Sequence, residues 1–282
     1  MLFAIKLWLR FVSAVAPRAA GRAGARIWFR VQRPTISPES RAFLATGERF
    51  EMRTKDSLIV GWRWGSGPTV LLMHGWGGYA AQMQPFVEPL LRSGHRVIAF
   101  DAPSHGESGP SALGPKSATL FDFSDALVAA SEGVSPIAGV IAHSGGCAAA
   151  AWTMVRSPGW RPERMVFVAP FGSPARYMDV FSKMLGLSEE AMRYFRADTE
   201  AQFNFKWADF EVPNIAARVA TPPLLVIHDK NDRETSWQDG ADIAARWPNA
   251  RLETTTGLGH NRILRDAAVV ASATAFIDGS AR

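Results

Sequence analysis

The sequence predicts an α/β protein, a mainly parallel eight-stranded sheet flanked by helices, with a small helical cap. Three observations predict it. Five short, continuous apolar runs (69–73, 96–100, 138–142, 165–169 and 223–228) have the length and composition of strands buried on both faces. Stretches of helical periodicity separate them, and strand alternating with helix builds a parallel sheet covered on both sides. Finally, 282 residues, 47% hydrophobic and 20% charged, suit one large globular domain with a sizeable core.

The first element is a basic arm, expected over residues 1–45. Residues 2–12 are apolar except for Lys6 and Arg10, which stand four apart on one helical face. Arg18, Arg22, Arg26 and Arg30 continue that spacing, with Ile27, Trp28 and Phe29 interleaved. Two readings follow: an interfacial helix on anionic lipid, or an amphipathic helix docked on the domain with its arginines in water. The docked helix is favoured, and peripheral membrane contact through residues 1–33 is kept as the alternative. Charges interrupt the apolar stretch too early for a membrane span or a signal peptide. The expected compartment is the cytoplasm, or the inner face of the membrane.

The net charge of +5 belongs to this arm. Up to Arg33 there are seven of the 31 basic residues and none of the 26 acidic ones, which leaves 24 basic against 26 acidic. The remainder is nearly neutral. With no zinc spacing, phosphate-binding lysine loop or arginine-glycine tract, a nucleic-acid partner is not expected. The single cysteine, Cys147, excludes an internal disulfide and reads as a small buried residue.

After a loop at 34–38, residues 49–54 alternate apolar and polar. A Lys55-Asp56-Ser57 turn and an apolar stretch at 58–64 complete an opening hairpin. The buried runs then alternate with helices expected over 82–93, 117–132, 145–155, 236–247 and 261–277, and a weaker strand is expected at 250–255. One interval breaks the alternation. Residues 171–212 carry no strand pattern but are rich in large apolar groups such as Phe181, Phe195 and Trp207. Some forty residues are too many for a plain loop, so a helical cap is expected there, inserted between core segments 46–170 and 213–282.

Ligands gather at the C-terminal ends of strands in such sheets, and four of those ends carry chemistry. His74-Gly75-Trp76-Gly77-Gly78 is a glycine-rich turn whose backbone N–H groups are free to meet a developing negative charge. Ala142-His143-Ser144-Gly145-Gly146 brackets a serine with small residues, as a sharp strand-to-helix turn requires. His228-Asp229-Lys230-Asn231-Asp232 puts two carboxylates beyond a strand, and either could serve as an acid. Gly257-Leu258-Gly259-His260 offers a histidine in a flexible turn. Of six histidines, only His260 follows the last strand in a loop able to reach both Ser144 and an acid.

From about residue 49 to 277 the chain resembles the α/β-hydrolases, and more narrowly a bacterial subgroup of them without an assigned substrate. The resemblance implies Ser144 as nucleophile and the Trp76 and Gly145 backbone N–H groups as the oxyanion hole. Its pattern sets a small residue directly after the strand and the acid three positions later, which maps the acid to Asp232 rather than Asp229. The segment Asp101-Ala102-Pro103-Ser104-His105-Gly106-Glu107-Ser108 is similar to another family turn, with Ser104 where glycine is more frequent.

The expected chemistry is a Ser144–His260–Asp232 triad that cleaves a carboxylic ester through an acyl-enzyme. The apolar acyl or alcohol group is inferred from the aromatic cap. No cofactor and no metal is expected, and the partner is a small-molecule ester. Thioester, lactone and carbon–carbon bond hydrolysis use the same triad and stay open. A non-catalytic binding protein on this scaffold is the alternative of a different class.

Overall fold

The computed structural model describes residues 2–134 and 136–280. Contacts divide them into two compact units: Val31–Gly172 with the chain from Val212 onward, and the residues up to Arg30 with Ser173–Glu211.

The first unit is built on eight strands: β1 (Glu48–Arg53), β2 (Leu58–Trp64), β3 (Thr69–Met73), β4 (Arg96–Phe100), β5 (Ile137–His143), β6 (Met165–Val168), β7 (Leu224–Asp229) and β8 (Ala250–Thr255). Their spatial order is β1-β2-β4-β3-β5-β6-β7-β8. β2 runs antiparallel to β1 and β4, and every other pairing is parallel. The expected fold class is the observed one. β3, β5, β6 and β7 are buried along their whole length because helices cover both faces, and this is why they read as unbroken apolar runs. Edge strand β1 is exposed or half-exposed along its length, hence its mixed composition. Cys147 is buried, and its thiol donates to the Ala142 carbonyl.

Helix boundaries follow their caps. Thr119 and Asp122 form a reciprocal capping box, so the helix expected from residue 117 begins at Leu120. The helix expected over 261–277 is broken. A short helix, Gly259–Arg262, passes into a 3-10 turn, Ile263–Arg265, and Asp266 then caps a separate helix, Ala267–Ile277. Asp266 has extended backbone angles, and its carboxylate accepts from the Ala268 and Val269 N–H groups. A capping side chain of this kind ends one helix and starts another.

The second unit is helical: Leu2–Val15, Pro17–Trp28, Pro174–Leu185 and Glu189–Phe203, with a 3-10 turn at Trp207–Phe210. Pro17 stands at the first position of its helix, which interrupts the arm at Ala16. Its core joins Leu9 and Ala20 of the arm to Phe181, Leu185 and Phe195. Trp28 meets Phe181 edge-on at 5.1 Å and Phe195 at 5.9 Å. Gly21 lies so close to helix Glu189–Phe203 that a Cβ there would stand 2.9 Å from the Phe195 backbone nitrogen. Arg18 and Arg22 both pair with Asp198. The arm therefore shares one core with the inserted segment, while residues 31–45 go with the sheet.

Candidate active site

The C-terminal ends of β3, β5 and β7 and the loop after β8 bring the sequence-identified residues to one end of the sheet. Ser144 links β5 to helix Gly145–Arg156 with φ 51° and ψ −122°, a left-handed φ that a non-glycine residue adopts at a cost of about 1–3 kcal/mol. Neighbouring strands hold it there. Its N–H donates to the Val168 carbonyl at 3.0 Å, and its own carbonyl accepts from Cys147 and Phe171. The small flanking residues have steric causes. A Cβ on Gly146 would strike the His74 carbonyl and stand 2.9 Å from Met73 Cγ, and one on Gly75 would stand 2.9 Å from Ser144 Cβ.

The glycine-rich turn after β3 lies beside this elbow, with the Trp76 backbone nitrogen 3.7 Å from where a Gly145 Cβ would be. Two neutral histidines staple the turn to the loop after β4. His74 Nε2 accepts from the Ala102 N–H at 3.0 Å, so its Nδ1–H donates to the Gly75 carbonyl at 2.7 Å. His105 Nε2 accepts from the Gly77 N–H at 3.0 Å while its Nδ1–H donates to the Pro103 carbonyl. Burial pushes His74 down to about 3 and His105 to about 4, so both keep the accepting lone pair. Ser104 has φ 62°, the region glycine favours. Its hydroxyl compensates by donating to the Gly114 carbonyl and accepting from the Ser111 N–H.

Of the two candidate acids, Asp232 meets the histidine. His260 Nδ1 donates to Asp232 Oδ2 at 2.7 Å. Asp232 Oδ1 accepts from the Glu234 and Thr235 N–H groups, and the carboxylate is fully shielded. Burial opposes its charge, but hydrogen bonds from His228 and His260 outweigh that and hold it well below the usual carboxylate range. Asp229 does different work. It accepts from Asn231 N–H, Leu258 N–H and the Thr255 hydroxyl, and so ties the two last loops together.

His260 stands in the first turn of helix Gly259–Arg262 and is buried, whereas the sequence suggested a flexible turn. Gly259, with φ 68°, makes the bend that starts this turn. Two further residues hold the histidine. The Thr235 hydroxyl lies 3.1 Å from His260 Nδ1, 3.0 Å from Asp232 Oδ2 and 3.2 Å from the Ala169 carbonyl. His143 donates from Nε2 to the His260 carbonyl at 3.0 Å, with ring centroids 4.6 Å apart. Burial, with the neighbouring His260, pushes His143 down to about 3. Neither role was legible in the sequence. Thr235 carries no motif beyond standing three residues after an acid.

With Nδ1 committed to Asp232, His260 keeps Nε2 as its proton-accepting atom. A serine on a strained turn and a histidine polarised by a shielded carboxylate are the kinds of group that nucleophilic acyl transfer uses.

A family model described as the alpha/beta hydrolase family matches residues 70–273. Among solved structures, a serine hydrolase from the polyaromatic-hydrocarbon-degrading bacterium Cycloclasticus zankles is 18% identical, with TM-score 0.60, covering 83% of this chain and 99% of that one. An esterase from Exiguobacterium antarcticum is similar at 12% identity and TM-score 0.60, covering 82% and 99%. A thermophilic esterase from Thermogutta terrifontis is similar at 15% identity and TM-score 0.60, covering 82% and 98%. At these identities the likeness to solved structures is one of fold. No curated protein sequence matches the chain.

Proposed function

The chain belongs to the alpha/beta hydrolase family, and from that premise we propose that it is a serine hydrolase cleaving a carboxylic ester through an acyl-enzyme. The observation that carries the reading is the 2.7 Å contact between His260 Nδ1 and the shielded Asp232 carboxylate, at the same end of the sheet as the strained Ser144 turn.

In the proposed reaction His260 Nε2 takes the Ser144 proton as Oγ attacks the ester carbonyl carbon. The carbonyl oxygen becomes an oxyanion received by the Trp76 and Gly145 N–H groups; losing one such donor typically costs roughly 2.7–4 kcal/mol. His260 returns its proton to the departing alkoxide. Water, deprotonated by His260, then attacks the Ser144 ester; as the acyl–Oγ bond breaks, His260 returns that proton to Ser144 Oγ and the acid leaves. Asp232 keeps the His260 tautomer and stabilises its imidazolium.

The proposed apolar acyl or alcohol group has support in the sheet unit itself. The Trp76 ring is stacked on Phe123 at 5.9 Å, and Leu120 Cδ2 lies 3.8 Å from the Gly145 Cβ position. Phe181 and Phe195, part of the aromatic content that first suggested such a substrate, are buried in the helical unit's own core.

The test is a panel of aryl esters of graded acyl length, with a thioester and a lactone, run on wild type and Ser144→Ala. Expected are turnover of the longer esters, its loss in the variant, and fluorophosphonate labelling of wild type alone. Wild-type turnover by Ser144→Ala would remove the nucleophile. Absence of both turnover and labelling in wild type would favour a binding protein on this scaffold.

A further inference from the structure

Helix Leu2–Val15 has apolar side chains on two opposite faces. On one, Leu9 is fully buried, with Ile5 and Val12 beside it in the core of the helical unit. On the other, Leu7, Trp8, Phe11 and Val15 are 51%, 56%, 66% and 65% exposed. Their spacing sets them in one stripe along the outside of the helix. Neighbouring helix Pro174–Leu185, in the same unit, repeats the pattern. Val180 and Met184 lie one turn apart and exposed, with exposed Lys183 beside them. Single exposed apolar side chains are ordinary; a row of four with a second pair on the next helix marks an interaction surface.

We propose that this face docks on an anionic lipid bilayer, with helix Leu2–Val15 lying in the plane of the interface. Charge selects the occupant. Lys6 and Arg10 are exposed one turn apart and flank the stripe, and no acidic residue occurs up to Arg33. Arg18 and Arg22, farther along the arm, are instead paired with Asp198. The single acid of helix Pro174–Leu185, Asp179, is offset by Lys183 one turn on. A cationic flank beside Trp8 and Phe11 suits a headgroup region, where aromatic rings and basic side chains meet lipid together. Among the described residues no helix is long and apolar enough to cross a membrane, so the contact is peripheral. The two faces also reconcile the two readings of the arm: one face docks on protein and the other is left for lipid.

Removing the arm would strip Leu9 and Ala20 from a core, so the test uses point variants of the full chain. Flotation is measured with phosphatidylcholine vesicles and with vesicles containing one-third phosphatidylglycerol, alongside the melting temperature and sedimentation velocity. Wild type is expected to float with the anionic vesicles and to be released by high salt. Trp8→Ser/Phe11→Ser is expected to lower the bound-to-free ratio at least about tenfold with an unchanged melting temperature, and Lys6→Glu/Arg10→Glu to weaken binding without loss of the apolar stripe. No flotation of wild type, or equal flotation of Trp8→Ser/Phe11→Ser, would overturn the proposal. A wild-type dimer that the same variant dissociates, without vesicle binding, would assign the stripe to self-association. Ester turnover in free solution is a separate readout, so failure here leaves the hydrolase reading untouched.

Discussion

His143 and His260 are joined by a hydrogen bond that bypasses the second ring: His143 Nε2–H reaches the main-chain carbonyl of His260 at 3.0 Å. The residue next to the serine thus holds the backbone of the histidine, and Ser144 and His260 are referenced to each other through one buried imidazole. His143→Phe keeps the ring volume and removes the donor. A misplacement of order 1 Å costs about 10²-fold in rate, so kcat is expected to fall by roughly ten- to a hundredfold with KM little changed. Steady-state kinetics on the preferred ester checks this; an equal rise in KM would point to a disturbed substrate site instead.

The two aspartates of the β7 loop are expected to separate cleanly. Asp232→Asn preserves shape but removes the charge that fixes the His260 tautomer, a change that costs about 10⁴ in kcat in comparable triads. Asp229→Asn disturbs three hydrogen bonds that tie the loops together. Its expected effect is a loss of stability of about 1–3 kcal/mol, seen in urea unfolding, with kcat within a few-fold of wild type. Reversal of the two phenotypes would reassign the acid.

Acid should destabilise the protein as the pH falls below about 6.5. His74, His105 and His143 have folded values of about 3, 4 and 3, below the unfolded value near 6.5. Neutral in the fold and charged when unfolded, they contribute stability above pH 6.5 that is lost as the pH falls toward 4. Asp101 has the opposite sign. Burial pushes it up to about 6, so it gains a proton in the fold first and its contribution grows on acidification. The three histidines outnumber Asp101, so near pH 5 the unfolded chain binds more protons than the fold and stability falls as the pH drops. Urea midpoints at pH 6.5, 5.5 and 5.0 measure the slope; a flat profile would contradict it.

Glycine substitutions test why the serine turn is built from small residues. Gly146→Ala drives a methyl group into the His74 carbonyl and Met73. A loss of about 1–3 kcal/mol is expected, as for other overpacked sites, together with weaker fluorophosphonate labelling. At Gly159 a Cβ would meet nothing within 4 Å and φ is not positive, so Gly159→Ala is expected to be neutral or to stabilise by up to about 1 kcal/mol. Differential scanning calorimetry of the pair supplies the comparison.

Strands that are buried on both faces announce themselves as unbroken apolar runs, which is why β3 to β7 were legible in the residues. Ser144 and the pair Asp229 and Asp232 were legible as candidates because their loops follow those strands, and His260 because its loop follows the weaker β8; the choice of Asp232 came from the family resemblance. The supporting shell was not. Thr235 and His143 act through contacts between distant loops, and a hydroxyl or imidazole that meets a partner across the fold leaves no local periodicity. The break at Asp266 was missed because an aspartate inside a helical pattern looks like a surface residue until its cap bonds are seen. Likewise, arginine spacing exposed the faces of the arm but not that Asp198 would receive Arg18 and Arg22.

One core drawn from residues before Arg30 and after Ser173 has a consequence for biosynthesis. The first two helices leave the ribosome long before the segment that buries Leu9 and Ala20 exists. At about 5–20 residues per second they wait on the order of ten seconds with apolar surface uncovered. During that interval the nascent chain is a client for chaperones or for any apolar surface nearby; the helical unit can close only once Glu211 has emerged, still ahead of the sheet unit, which waits for β7 and β8.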